Sequence, residues 1–317
     1  MDANLQPISH EALVCAEVLP ANFKSVRLPG SQLLSADGSF GSICIQEFRS
    51  DNFIFRFNVF DLIQRFILEN KFDEAGFYSR IILKGEIKHE GKDQKCKLLT
   101  NQFSLLHSDK LRIKETYERS LHISFDTFFS FKWVNEIFKL FPAFQKTEEK
   151  KHFLLPPQWM DIEANELVHS IIHCKYEKQF RHYFFESRVK DLFFKMLVLA
   201  SSQSLAKDEP SEKDLKAVYE TEQIIAADIS RHINIPELSK KVLLNEFNLK
   251  RFFKKVFGVG LYEYLVRLRM KKAKEMLEAG ASVKEAAAFT GYRPTDFIVA
   301  FRQFYGFTPG SVKKKSS

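Results

Sequence analysis

The sequence predicts an α+β fold in two domains, a β-rich N-terminal domain with a helical extension followed by an all-α C-terminal domain. Three observations lead there. At 317 residues the chain exceeds the length over which a single core usually keeps growing. Short segments rich in Ile and Phe, set off by Gly and Asp turns, fill residues 13–125, and helical periodicity takes over from 126. The charge divides with the pattern: residues 213–317 hold 20 Lys and Arg against 11 Asp and Glu, or +9, which leaves the rest of the chain at −1 of a total of +8. A basic segment joined to a near-neutral one is the electrostatic footprint of a polyanion-binding module on a carrier or sensor domain.

The strands come first. GSICIQEF (41–48), NFIFRFNVF (52–60), FYSRIILKGEIKHE (77–90), QFSLLHS (102–108) and SLHISF (120–125) combine β-branched and aromatic residues with partial alternation. LPGSQ, ADGSFG and HEGKD read as turns between them. Many short strands with such turns argue for a β-sandwich or small barrel, and the 33 phenylalanines argue for large aromatic cores.

After Phe125 the period changes. WVNEIFKLF (133–141) and MDIEANELVHSIIH (160–173) read as helices on either side of a break at Pro156-Pro157. Residues 177–204 follow as a long amphipathic helix with apolar residues at Phe180, Phe184, Val189, Leu192, Phe193, Met196 and Leu197. LAKDEPSEKD is polar and contains Pro, so the expected domains are 1–205 and 215–317 with a linker at 206–214.

Residues 215–312 are expected to be helical nearly throughout. LKAVYETEQIIAADISRHI leads, PELSKKVL follows with Pro at its first position, and NEFNLKRFFKKVF runs from an Asn245 N-cap to a stop at Gly258. The long LYEYLVRLRMKKAKEMLEAG ends at Gly280, and SVKEAAAFTG and PTDFIVAFRQFYG complete the set. ELSKKVLLNEFNLKRFFKKVFG resembles EAAAFTGYRPTDFIVAFRQFYG: a short helix, a tight turn and a longer helix ending in aromatic-Gly. Two such helix-turn-helix units, at about 236–258 and 283–306, read as tandem groove-inserting elements.

Within NEFNLKRFFKKVFG, helical spacing puts Leu249, Phe252, Phe253, Val256 and Phe257 on one stripe, expected to be core. Glu246, Phe247, Lys250, Arg251 and Lys254 fall on the other side. An ordinary solvated face accounts for the charges but not for Phe247, since an exposed Phe has no solubility reason to be there. In a recognition helix, first-turn residues meet base edges, Lys and Arg pair with guanine acceptors or phosphates, and an apolar ring can contact thymine methyls.

GLYEYLVRLRMKKAKEML, SVKEAAAFTGY and AFRQFYGFTPGSV closely resemble the DNA-binding domain of the AraC/XylS family of bacterial transcription regulators, over about residues 218–312. LNEFNLKRFFKKVFG and IIHCKYEKQFRHYFFESRVKDL resemble the branch typified by the pyochelin regulator, whose best-known members respond to ferric siderophores. The resemblance implies that base-facing positions of the first reading helix fall on Phe247, Lys250 and Arg251, with Glu246 and Asn248 beside them and Lys254 further along. In the second unit it implies Arg293, Thr295, Asp296, Val299 and Arg302. GYRPTDF is one residue shorter than the family's usual spacing, so a tightened second turn is expected, and Val299 stands where family members often place Arg. Phosphate contacts and shape fit are therefore expected to outweigh base discrimination in the second unit. For Arg267, Arg269, Lys271 and Lys272 on or beside the linking helix, structural salt bridging and phosphate contact both stand open.

Other chemistry finds little support. His169, His173 and Cys174 share a helical neighbourhood, but no acidic or third His partner is fixed beside them, so no metal site is expected. There is no H-x-H pair, phosphate-binding Gly loop, H-E-x-x-H or G-x-S-x-G, so catalysis is not expected. The N-terminus lacks a basic n-region and no apolar run reaches about 18 residues, so neither a signal peptide nor a membrane span is expected. Cys15, Cys44, Cys96 and Cys174 lie far apart and are expected to be reduced in a cytoplasmic protein. The expectation is a ligand-responsive transcription regulator of the activator type, with a cupin-like β-sandwich sensor and no cofactor. Its candidate partners are promoter DNA, a small-molecule effector of unknown identity, RNA polymerase and a second copy of the chain. A non-specific architectural DNA binder and a cupin-type metalloenzyme are the alternatives.

Overall fold

A computed structural model describes residues 6–7, 18–19, 23, 25–72, 75–90, 95–108, 111–141, 152–154, 157–202 and 210–312. Residue contacts divide the chain into two compact units, Met1–Ala206 and Lys207–Ser317. Cys15, Pro156 and residues 203–209 of the expected helix end and linker lie outside the described residues.

Unit 1 holds strands β1 (Gln6–Pro7), β2 (Gln32–Gly38), β3 (Gly41–Arg49), β4 (Phe53–Leu62), β5 (Phe66–Phe72), β6 (Gly76–Lys84), β7 (Glu86–Glu90), β8 (Lys95–Leu99), β9 (Gln102–Ser108), β10 (Leu111–Tyr117) and β11 (Leu121–Ser130). Helix α1 (Phe131–Lys139), strands β12 (His152–Leu154) and β13 (Gln158–Trp159), and helices α2 (Ile162–Ile172) and α3 (Lys178–Ser202) follow. One sheet has the order β1-β5-β10-β7-β8; the larger runs β12-β9-β6-β11-β4-β3-β2, with β13 also beside β9. All pairings are antiparallel.

The larger sheet is buried on both faces, and β4 shows how its sequence achieves this. Phe53, Phe55, Phe57 and Val59 point into a cluster with Phe185, Val189, Leu192, Phe193, Met196 and Leu197 of α3 and with Val168 and Ile171 of α2. The alternate residues Phe60 and Leu62 pack with Phe66, Leu68, Ile87, Leu98 and Tyr117 of the smaller sheet. Helices on one face and a second sheet on the other make three layers. Phe185 and Phe193 dock α3 on the sheet, with ring centroids 4.9 Å from Phe55 and 4.8 Å from Phe129. The expected stripe is displaced at its start: Phe180 is exposed and Phe185 takes the buried place, its ring packed edge-on against Phe48 and Phe55 of the sheet.

Two further boundaries are corrected. The β-rich part, expected to end at 125, continues through Ser130 and takes in β12 and β13. The end of β11 looks polar in sequence, but its polar groups pair inside: Asp126 accepts from Arg80 at 2.8 and 2.5 Å and from Asn58 at 2.9 Å, and Thr127 meets Ser79 at 2.6 Å. The linker expected at 206–214 is overrun from its C-terminal side. Helix α4 (Glu212–Ala227) starts within it because Ser211 and Asp214 close a capping box.

Arg80 also reaches across to the smaller sheet. It donates to the Tyr117 hydroxyl at 2.9 Å and pairs with Glu115, whose other oxygen lies 3.3 Å from His89 Nε2 without hydrogen-bond alignment. Burial by itself would raise the Glu115 carboxyl, but Arg80 and then His89 hold it down at about 2. Cys44, Cys96 and Cys174 are unpaired thiols, and burial pushes that of Cys44 up to about 11.

Unit 2 continues with α5 (Ile235–Lys241), α6 (Glu246–Phe257), α7 (Leu261–Glu278), α8 (Val283–Phe289), α9 (Pro294–Tyr305) and a short 3-10 turn at Pro309–Ser311. Pro236 stands at the second position of α5, not its first, with Asn234 as the cap. No helix among the described residues is long and apolar enough to cross a membrane.

Candidate nucleic-acid interface

The α5–α6 and α8–α9 pairs repeat at a constant offset of 48 residues: 235 maps to 283, 246 to 294 and 257 to 305. The turns repeat as well. Leu243 and Gly291 both adopt left-handed backbone, φ 54° and 73°. The next residue of each pair then donates its N–H back, Leu244 to Ser239 O at 3.1 Å and Tyr292 to Ala287 O at 3.0 Å. Each longer helix ends on a left-handed glycine, Gly258 at φ 76° and Gly306 at φ 78°. Measured against the first pair, the second turn is therefore not tightened; the shortness expected for GYRPTDF has no counterpart within the chain.

The starts differ. Asn245 caps α6 by accepting from Asn248 N at 2.8 Å, whereas Arg293 stands at the same position of α9 without a side-chain cap, and Pro294 removes one of the donors a cap would serve. Inward, Leu249, Phe252, Phe253, Val256 and Phe257 are all buried as expected, and Phe253 and Phe257 pack on Tyr264 of α7 at 5.3 and 5.2 Å. Phe297 and Phe301 do the same for α9, against Met270, Ala273, Leu277, Ala286 and Ala287. Helix α7 thus supplies both cores.

Outward, α6 presents Phe247, Lys250, Arg251 and Lys254, which at spacings of i, i+3, i+4 and i+7 form one stripe. Phe247 is 71% exposed. The Arg251 guanidinium lies 5.4 Å from the Phe247 ring and 4.6 Å from Phe252, so two rings fix a half-buried side chain that would otherwise sample many rotamers. Glu246 sits 3.8 Å from Lys250, a weak surface pair, and Asn248 is half-buried in the first turn. On α9 the stripe is Thr295, Ile298, Val299 and Arg302, all exposed; Arg293 and Asp296 are exposed at the helix start. Sequence reasoning passed over Ile298 because an apolar residue beside Phe297 reads as core, although the offset of 48 places it opposite Lys250.

Among the basic residues of α7, Arg269 has a structural role and Arg267 and Lys272 make surface pairs. Arg269 is buried and donates to three carbonyls of the loop after α4, Ile229 at 2.6 Å, Ser230 at 3.0 Å and Arg231 at 3.1 Å, with its guanidinium 5.1 Å from the Tyr292 ring. Arg267 pairs with Glu263 at 3.0 Å and Lys272 with Glu275 at 3.4 Å. In unit 1, the His169 and His173 rings stack with centroids 3.9 Å apart, and His173 Nδ1 faces the His169 carbonyl at 3.0 Å, so the rings do not converge on an ion. Among the described residues no group of three or more His, Cys, Asp or Glu could hold a metal.

Residues 238–315 match a family described as a helix-turn-helix domain. The Msm operon regulatory protein of Streptococcus mutans is 25% identical over 130 residues, 40% of this chain and 47% of that protein. The chain thus spans about half the length of this curated relative. Among solved structures, fatty-acid-bound ToxT from Vibrio cholerae is similar at 16% identity over 83% of this chain and 95% of that chain, with a TM-score of 0.34. The C-terminal domain of the two-component response regulator yesN from Fusobacterium nucleatum is 29% identical over 31% of this chain and 99% of that chain, with a TM-score of 0.29.

Proposed function

We propose that the chain is a sequence-specific, double-stranded-DNA-binding transcription regulator of the AraC/XylS kind, in which α6 and α9 enter successive major grooves and unit 1 senses a small effector. The observation that carries this reading is the pair of outward stripes repeated 48 residues apart, within a segment matching a helix-turn-helix domain and carrying the chain's whole positive excess. In α6 the pre-oriented Arg251 suits the O6 and N7 acceptors of guanine, while Lys250 and Lys254 suit phosphates.

The effector reading draws on buried polar groups on the strands of unit 1. There His89 Nδ1, Asn70 Nδ2 and Ser104 Oγ are buried without a hydrogen-bond partner among the described residues, an interior that a bound molecule or ordered water completes. A siderophore is the effector implied by resemblance to the pyochelin-regulator branch, and the cupin-like description of the sheets belongs to the same reading. Whatever its identity, an effector acts only through unequal affinity for two arrangements of the protein. RNA polymerase and a second copy of the chain are the further partners of this reading, and no catalytic role is assigned.

Selection of binding sites from a random duplex library with the full chain tests it. A selected duplex is expected to bind at least about 10³-fold tighter than random duplex at physiological salt. Equal affinity for both, collapsing together as salt rises, would make the protein a non-specific binder driven by counterion release.

A further inference from the structure

We propose that α9 reads thymine methyl groups through Thr295, Ile298 and Val299, an inference that rests on the DNA-reading function above. The constant offset sets Thr295 against Phe247, Ile298 against Lys250, Val299 against Arg251 and Arg302 against Lys254. The two stripes hold the same place on the same supersecondary unit, and their chemistry is opposite. Three of the four positions are cationic on α6, and one of the four is cationic on α9.

Neither packing nor helix propensity explains the apolar residues. The core of this part is filled by Phe297 and Phe301, while Ile298 and Val299 are 41% and 55% exposed. β-Branched side chains are also poorer helix formers than the Lys, Arg or Gln that an exposed position would ordinarily carry. In the major groove the apolar group on offer is the C5-methyl of thymine, which the Thr, Ile and Val methyls match. Arg302 closes the stripe with a charge suited to the flanking phosphate, and Asp296 lies off it. A guanine-reading first helix and a methyl-reading second helix together make a bipartite, asymmetric site.

The test replaces thymine by deoxyuridine, one position at a time, through a duplex selected by the full chain. This change removes the methyl and keeps O4 and the base pair. At one cluster of thymines each replacement is expected to weaken binding about fourfold, the worth of one buried methyl. The Ile298→Ala/Val299→Ala double variant is expected to lose that discrimination at the cluster while its melting temperature and its response elsewhere stay as in the parent. A parent protein that prefers the selected duplex over random DNA yet binds its fully deoxyuridine form equally well reads bases without methyls, which overturns the proposal. A double variant that binds and discriminates like the parent overturns it too, and assigns the two side chains to another contact such as a protein partner. Failure of the parent to prefer any selected duplex would defeat the DNA-reading function itself, and this inference with it.

Discussion

Leu243 and Gly291 occupy equivalent turn positions 48 residues apart, and both hold left-handed backbone, at φ 54° and 73°. Only the glycine is suited to it. A Cβ on Gly291 would stand 2.2 Å from the Ser230 carbonyl oxygen, whereas Leu243 is 79% exposed with its side chain in open solvent. A left-handed L-residue costs roughly 1–2 kcal/mol, partly offset by the greater unfolded-state freedom of glycine. Leu243→Gly is therefore expected to stabilise unit 2 by about 0.5–1 kcal/mol. Gly291→Ala is expected to destabilise it by more than about 2 kcal/mol. Thermal melts of the two variants check both signs.

Arg269 holds the loop after α4 against α7 through three carbonyl oxygens and stacks near Tyr292. Truncation leaves those three carbonyls without their shared donor. Arg269→Ala is expected to cost about 3 kcal/mol, and Arg269→Lys to recover little, because an ammonium cannot present the planar fork. Urea unfolding followed by circular dichroism measures this, and a lysine variant as stable as the parent would show that charge alone suffices.

In the proposed DNA reading Phe247 acts partly through Arg251, whose guanidinium lies 5.4 Å from its ring. Arg251→Ala is expected to cost about 1–3 kcal/mol on a selected duplex and to relax one base preference. Phe247→Ala is expected to lose less, with its melting temperature little changed because the ring is exposed. The double variant is expected to be no worse than Arg251→Ala plus a small remainder, the non-additivity that marks coupled side chains. Fully additive losses would separate the two roles.

The pair of Arg80 and Glu115 makes unit 1 sensitive to acid. The folded Glu115 carboxyl sits at about 2 against an ordinary 4.5, so its contribution to stability is complete above about pH 4.5 and is lost as the pH falls towards 2. The stability difference between the parent and Glu115→Gln is expected to be large at pH 7 and to shrink steadily below pH 4.5. Denaturant unfolding at a series of pH values gives the curve, and a difference independent of pH would contradict the ion pair.

Most of the larger sheet was legible because it is buried on both faces, so that strands such as FIFRFNVF are apolar apart from Arg56 and Asn58. Most of the smaller sheet was not. FILENKF, KCKLL and LRIKETY mix polar with apolar residues and were not among the expected strands, although Asn70, Glu115 and Thr116 are buried. In the larger sheet QLLSADG was missed as a strand as well, while the turn expected at ADGSFG does join β2 to β3. The end of β11 stayed hidden for a different reason: Asp126 and Thr127 are polar but paired inside the protein. In unit 2 the inward and outward stripes of α6 were legible from helical spacing. The left-handed Leu243 was not, since nothing in leucine's chemistry signals that conformation, and the exposure of Ile298 shows only when the two pairs are laid over one another in register.

The central claim is that α6 and α9 read two adjacent grooves, and hydroxyl-radical footprinting of the full chain on a selected duplex tests it most directly. The expected result is two protected patches centred about one helical turn, or roughly 10 base pairs, apart. Arg251→Ala should weaken one of them and Ile298→Ala/Val299→Ala the other. A single short patch, unchanged in extent by either variant, would contradict it.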